Sequence, residues 1–250
     1  KDTFNIKIDK KFNFIADPFY HRNSIFFEIT NPFSQIGKLA KLENNNLRIF
    51  ENKKKYFSFP SSLRIKKTNF ILPEISSWSK LKIIKEKNGK LIDYKYINFE
   101  NNDHNFIVDP IIHKKGNTFF LFGNMKGEEN ILRLWYSDEN KLNFKEHKNS
   151  PILISPLGSR MGGQILKISD GLYRFGQKNL DSYGNGLCIF KISKIDKKKY
   201  KEIKLGEINL KNKNGPHTIN FNLTKKEIIF DYYNKKFNFF AVLIKLNKFF

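Results

Sequence analysis

The stretch "IVDPIIHKKGNTFFLFGNM", residues 107–125, decides the fold because its plan recurs. It opens on an acid–proline step and runs through a short apolar strand to a Lys-Gly-Asn turn. A strong aromatic strand follows. Four other segments share this plan: "ADPFYHRNSIFFEIT" (16–30), "FSFPSSLRIKKTNFILPEIS" (57–76), "SRMGGQILKISDGLYRFGQK" (159–178) and "GPHTINFNLTKKEIIFDYY" (215–233). Each is trailed by a further apolar strand: "IGKLAKL", "SKLKIIKE", "NILRLWYS", "GLCIFKI" and "FNFFAVLIKL". The units recur roughly every fifty residues, the length of one four-stranded propeller blade. No long stretch places apolar residues at three-and-four spacing, so helices are not expected. Short strands bounded by turn residues indicate an all-β chain. One such unit cannot bury both faces of its sheet, and radial stacking solves this. The expectation is a single five-bladed β-propeller over residues 1–250, with a β-sandwich as the weaker alternative because it leaves the fivefold repeat unexplained.

Composition narrows the function. The chain has 250 residues with a formal net charge of +22, and a basic surface can attract nucleic acid, anionic membrane or acidic glycans. The excess accompanies abundant Asn, Ile and Phe, as AT-rich coding would produce, and is read as incidental. No recognition helix or RNA-binding signature is visible, so no specific nucleic-acid partner is expected. Phe outnumbers Trp 26 to 2, which suits half-buried pleated positions. The single cysteine, Cys188, excludes an intrachain disulfide and a multi-cysteine zinc site. It lies in a strand pattern and reads as a small buried apolar residue. There is no phosphate loop, dinucleotide fingerprint or clustered His/Cys spacing, so neither a cofactor nor a metal is expected. No run approaches the roughly twenty apolar residues that span a bilayer, and no signal peptide is visible. The location expected on these grounds is cytoplasmic.

In a propeller the innermost strand of each blade lines the channel. The segment-opening residues Asp17, Pro60, Asp109, Arg160 and His217 should therefore converge there. Either they build a ligand pocket or they form a solvated channel wall. Pro18 is expected to bias Asp17 toward an extended backbone and hold its carboxylate rigidly. Glu28 ends an apolar strand whose alternation could turn it inward or outward. It reads as supportive.

Taken in order, "ADPF", "FFE", "LPEIS", "VDP" before "GNTFFLF", "SRMGGQIL", "LYRFGQ", "YGNGL" and "GPHTINF" resemble one family: the N-terminal domain of glucosamine inositolphosphorylceramide transferases. Related domains occur beside bacterial sugar formyltransferase-like domains. The resemblance runs from about Phe14 to about Asp231. It extends to the five-bladed propellers of family 43 and family 32 glycoside hydrolases. Departures are visible: "FSFPSS" keeps only Pro60 of an expected "SYP", "YRFGQ" lacks the proline of "RPGQ", and "GPHT" replaces "GTHT".

What the resemblance implies is carbohydrate chemistry. Hydrolysis needs two carboxylates about 5–5.5 Å apart for retention or about 6.5–9.5 Å for inversion. Asp17 resembles the first-blade base of family 43. Asp109 resembles a third-blade aspartate that orients substrate or tunes a neighbour. A fourth-blade glutamate would be the acid, yet Arg160 and Gln164 stand there, leaving Glu74 or Glu28 if either reaches the channel. The candidate catalytic set is Asp17, Asp109 and Glu74. Arg160, Arg174, Gln177, Tyr183, His217 and Glu28 form the candidate substrate-binding set. Guanidinium groups suit phosphate or carboxylate, so Arg160, Arg174 and His217 could hold a nucleotide-sugar diphosphate or an acidic sugar. Arg160 could equally pair with Asp109 or Asp17. Tyr183 offers a stacking face, while Trp78 and Trp135 read as blade packing. The expected function is binding of a glycan or nucleotide sugar in the channel, within a glycosyl- or formyl-transferring system and beside a transferase domain. The alternatives are a glycoside hydrolase using Asp17 and Asp109, and a non-catalytic glycan-binding module.

Overall fold

A computed structural model describes residues 14–30, 37–50, 57–75, 80–100, 106–138, 141–180 and 184–233. These contain strands and no helices. Tyr183, Trp78 and the trailing segment "FNFFAVLIKL" lie outside the described residues.

Five sheets follow one another along the chain. Blade one is β1 (Phe14–His21), β2 (Ser24–Thr30), β3 (Lys38–Glu43) and β4 (Asn46–Ile49), paired in that order. Blade two repeats this with β5 (Phe57–Ile65), β6 (Thr68–Ile75), β7 (Lys82–Lys87) and β8 (Lys90–Tyr96). β9 (Asn98–Phe99) crosses to the outer edge of blade three, where it runs parallel to that blade's fourth strand. Blade three is β10 (Ile107–Lys115), β11 (Thr118–Met125), β12 (Ile131–Asp138) and β13 (Asn143–Glu146), with β14 (Leu153–Ile154) beside β12. Blade four runs β15 (Leu157–Met161), β17 (Gly171–Lys178), β18 (Leu187–Ile195) and β19 (Tyr200–Ile208), with β16 (Leu166–Ile168) paired to β17. In blade five, β20 (Ile219–Asn222) pairs with β21 (Glu227–Phe230).

Alternation on the second strands explains the stacking, since successive side chains leave a strand on opposite faces. In β11, Phe119 and Leu121 join Phe70, Leu72 and Ile83 of blade two, around Trp135. Phe120 and Phe122 face the other way and meet Met161, Ile192 and Ile195 of blade four. Phe19, Phe26 and Leu39 of blade one pack on Phe57, Ile71 and Ile84 of blade two. Phe175 and Leu187 of blade four pack on Ile219 of blade five. These side chains are buried, and each contributes about 1.5–3 kcal/mol of transfer energy. Cys188 is buried, as its strand pattern indicates.

The ring closes between blades five and one, where the amide of Asn220 donates to the Pro18 carbonyl at 2.8 Å. Blades four and five are joined where Ile219 N–H donates to Gly162 O at 2.9 Å. Gly163 is required at this seam: its φ is +133°, and a Cβ would stand 2.0 Å from the Ile219 carbonyl oxygen.

Candidate functional site

The innermost strands of blades one to three share one device. Asp17–Pro18 stand opposite the single residue between Phe26 and Glu28. Phe59–Pro60 stand opposite the residue between Leu72 and Glu74, and Asp109–Pro110 opposite the one between Phe122 and Asn124. Each is a β-bulge, which bends the strand and re-aims a side chain. The proline has no N–H to lose from the ladder. The residue before it is left-handed, at φ 53° for Asp17, 40° for Phe59 and 50° for Asp109. The extended backbone expected at Asp17 is therefore not what forms. The bulge overrides the local bias of Pro18, at a cost of about 1–2 kcal/mol per residue.

Carboxylates from the preceding blade offset that cost. The bulge N–H of Asp17 donates to Asp231 Oδ2 of blade five at 3.0 Å. The Phe59 N–H donates to Asp17 Oδ2 of blade one at 3.3 Å, and the Asp109 N–H to Glu74 Oε2 of blade two at 3.0 Å. Blade three passes its own acid onward: Arg160 of blade four grips Asp109 through Nε at 2.6 Å and Nη2 at 3.0 Å. The acids of the cluster thus link neighbouring blades one after another.

Asp17, Glu74, Asp109, Arg160 and His217 therefore belong to one cluster, and Gln177 joins it. Its buried amide donates to Asp109 Oδ2 at 3.0 Å and to the Met161 carbonyl at 2.8 Å. His217 Nδ1 lies 3.1 Å from Asp17 Oδ1 and 3.4 Å from Asp231 Oδ2. Gln164 reaches from blade four to blade two, donating to the Ser62 carbonyl at 2.6 Å. Glu28 is buried one step away and accepts from Ser58 Oγ at 2.9 Å, which ties blade one to blade two.

Arg174, expected beside Arg160 and His217, lies apart from the cluster. It is fully buried and reaches outward, to Glu202 on the outermost strand of blade four at 2.8 and 2.6 Å and to the Gly158 carbonyl at 2.6 Å. Its guanidinium also lies 4.0 Å from the centre of the Phe190 ring. Every nitrogen of the guanidinium is committed within blade four, so Arg174 braces the blade and does not join the central cluster.

Asp231 is the residue that sequence reasoning missed. It accepts from the main chain of Asp17, of His217 at 3.0 Å and of Thr218 at 2.7 Å. A signal existed: "FFEI" and "LPEI" end their second strands on acids, and "IIFDY" does the same in blade five.

The electrostatics separate these acids. Burial raises the pKa of Asp17; His217 draws it back, while the charges of Asp231 and Asp109 add to the rise, and the net shift is upward. Burial alone would raise Asp231, but His217 and the N–H groups of Thr218 and Asp17 outweigh it and leave it the stronger acid. Glu74 is pushed up to about 8, first by burial and then by the charge of Asp109. A carboxyl in that range is protonated at neutral pH and can donate a proton. Potential metal-ligand atoms of Asp17, His217 and Asp231 all lie within 4.8 Å of one another. Both Asp231 oxygens already accept N–H groups, however, and a proton on His217 Nδ1 would draw the two acids together without an ion.

Residues 5–227 match the family described as "Glucosamine inositolphosphorylceramide transferase 1, N-terminal". The chain belongs to this family. Among its curated relatives, the glucosamine inositolphosphorylceramide transferase 1 of Oryza sativa subsp. japonica is 27% identical over 219 residues, 76% of this chain and 28% of the relative. That of Arabidopsis thaliana is 25% identical over 219 residues, 77% of this chain and 27% of the relative. The chain therefore spans less than a third of the length of these transferases. In architecture it is similar to two α-L-arabinofuranosidases. The enzyme from Lactobacillus brevis has a TM-score of 0.59 at 10% identity, over 90% of this chain and 86% of that one. The enzyme from Clostridium thermocellum has a TM-score of 0.59 at 10% identity, over 92% and 84%. At that identity the likeness establishes the fold: an all-β propeller of the family 43 glycoside hydrolase type.

Proposed function

We propose that this transferase N-terminal domain binds a glycan at the inner end of its first blades, as a module working beside a transferase domain. The observation that carries the proposal is the convergence of Asp17, Glu74, Asp109 and Arg160 from four different blades. Sugar hydroxyls are both donors and acceptors. An ionised acid accepts from them, and a protonated Glu74 donates to them.

Two features favour glycan binding over the other readings. Arg160 is held in a two-pronged pair with Asp109, so a diphosphate would have to break a buried ion pair to use it. That weighs against a nucleotide sugar. The Asp17 carboxylate is engaged by the Phe59 N–H and His217, which weighs against its activating a water for hydrolysis.

Saturation-transfer NMR with neutral hexoses, amino sugars and nucleotide sugars tests the reading. Sugar-ring protons should receive saturation from the parent domain and not from Asp109→Asn, and aryl glycosides should release no phenol. The reading fails if no sugar ring is saturated, or if Asp109→Asn binds as the parent does.

A further inference from the structure

Away from the central cluster, a groove of about 200 Å³ opens at the outer seam of blades two and three. Phe70, Thr68, Lys66, Tyr94 and Lys95 line it from blade two, and Leu142 from blade three. None of its lining residues belongs to the central site, and none is acidic.

Its shape follows from a bulge in an outermost strand. On β7, Ile83 pairs with Lys95 while the next residue, Ile84, pairs with Asp93. Tyr94 is the extra residue. In a regular strand neighbours leave on opposite faces, and a bulge lifts that rule. Lys95 therefore takes the Ile83 side of the sheet, and Tyr94 is swung over Phe70, with ring centroids 4.4 Å apart and planes at 38°. Asp93 is left on the opposite side, paired with Lys82. Tyr94 is held against Phe70 yet remains 59% exposed. Lys95 Nζ spans the seam to the Lys141 carbonyl at 3.3 Å. Lys66 lies in the adjoining turn with Lys67 beside it in the chain.

An aromatic face that is fixed and open, flanked by an ammonium group and with no acid among the described lining residues, is complementary to a flat polar ring bearing negative charge. The volume lies below the ~300 Å³ of pockets that enclose large ligands, and so fits one ring. We propose that this groove is a second binding site, taking a single sugar ring that carries an anionic group, through Tyr94 and Lys95.

Chemical-shift titration of the whole domain tests this with glucose 6-phosphate, glucuronic acid, glucose and inorganic phosphate as probes. The two charged sugars should shift the signals of Tyr94 and Lys95, and glucose and phosphate alone should bind about tenfold more weakly, or about 1.4 kcal/mol. The relative strength of the phosphate and carboxylate sugars tells which source of charge is preferred. Lys95→Met keeps the aliphatic stem and should weaken the charged sugars about tenfold while leaving glucose unchanged. Tyr94→Leu should weaken both charged sugars. Any shifts of central-cluster signals should titrate separately and persist in both variants, which separates this site from the glycan site. Phosphate binding as tightly as glucose 6-phosphate would mean a merely charged surface and overturn the proposal. So would glucose binding as tightly, no shift with any probe, or unchanged affinity in both variants.

Discussion

Glu74→Gln should make the domain more stable and its glycan site less effective. In the folded protein the Glu74 carboxyl has a pKa of about 8, against 4.5 for the free group. Folding at neutral pH therefore forces the carboxyl to take up a proton that the unfolded chain does not hold. About two and a half pH units separate 4.5 from pH 7, each worth about 1.4 kcal/mol, which sets an upper bound of about 3.5 kcal/mol. Glu74 is partly reached by water, and solvent screening reduces this to about 1–3 kcal/mol. Glutamine is isosteric with the protonated acid and keeps an oxygen for the Asp109 N–H, so little is lost in exchange.

The sign fixes the pH window. An acid whose pKa is raised on folding costs nothing below its unfolded value, and its penalty grows as pH rises from 4.5 toward 8. Urea denaturation of parent and variant across that range should give curves that coincide near pH 4 and diverge upward, with the variant ahead by about 1–3 kcal/mol at pH 7. Glycan binding should fall in the same variant, because an amide donates more weakly than a carboxylic acid. A variant less stable than the parent at every pH would refute the reasoning. So would a difference that does not change with pH.

Three further outcomes follow from the same geometry. Asp17→Asn keeps an acceptor for the Phe59 N–H and suits the left-handed backbone better than aspartate does; its stability in urea should stay within about 1 kcal/mol of the parent while glycan saturation transfer is lost, and a fall of several kcal/mol would make Asp17 a purely structural residue. Arg174→Met strands buried Glu202 and should cost about 3–5 kcal/mol, with Arg174→Met/Glu202→Met recovering most of it; equal losses in the single and double variants would contradict the pairing. Gly163→Ala meets both a forbidden φ and the Ile219 carbonyl and should cost about 3 kcal/mol or more, read as a drop in thermal midpoint.

The fold was legible because its signal is periodic. Five segments with the same order of turn, strand and aromatic strand leave few architectures that bury every sheet on both faces, and the inner strands of the described blades largely coincide with those segments, while the outermost strands β4, β8, β13 and β19 fall outside them. The convergence of Asp17, Asp109, Arg160 and His217 was legible for the same reason: equivalent positions in a radial repeat meet at the axis. Two things were not. The backbone at Asp17 depends on an N–H acceptor 214 residues away, which no reading of "ADPF" could supply, so the local bias of Pro18 pointed the wrong way. Arg174 sits in the same strand as Gln177, three residues apart; they leave on opposite faces, and only the partner strands decide which face meets the channel. The tilt of Tyr94 was hidden too, because a bulge in "LIDYKY" breaks the alternation from which side-chain direction is read.

The acids that draw attention in the sequence carry two duties, and this bears on how the family's relatives should be compared. In a ring where Asp231, Asp17 and Glu74 each accept a neighbouring bulge N–H, a side-chain acceptor at these positions serves the fold whether or not a ligand binds. Retention of Asp17 in a relative is then weak evidence for chemistry. Asp109 differs. Its charge is taken by Arg160 and Gln177, neither of which accepts a bulge N–H, and a neutral pair of matching shape would close the same seam without burying charge. What the fold does not require, a ligand can. The Asp109–Arg160–Gln177 group therefore joins the more conspicuous Asp17 as a place where substitutions should separate binding from stability. Asp109→Asn paired with Arg160→Gln should fold and lose the glycan. If that double variant bound as the parent does, the ring of acids would be architecture throughout.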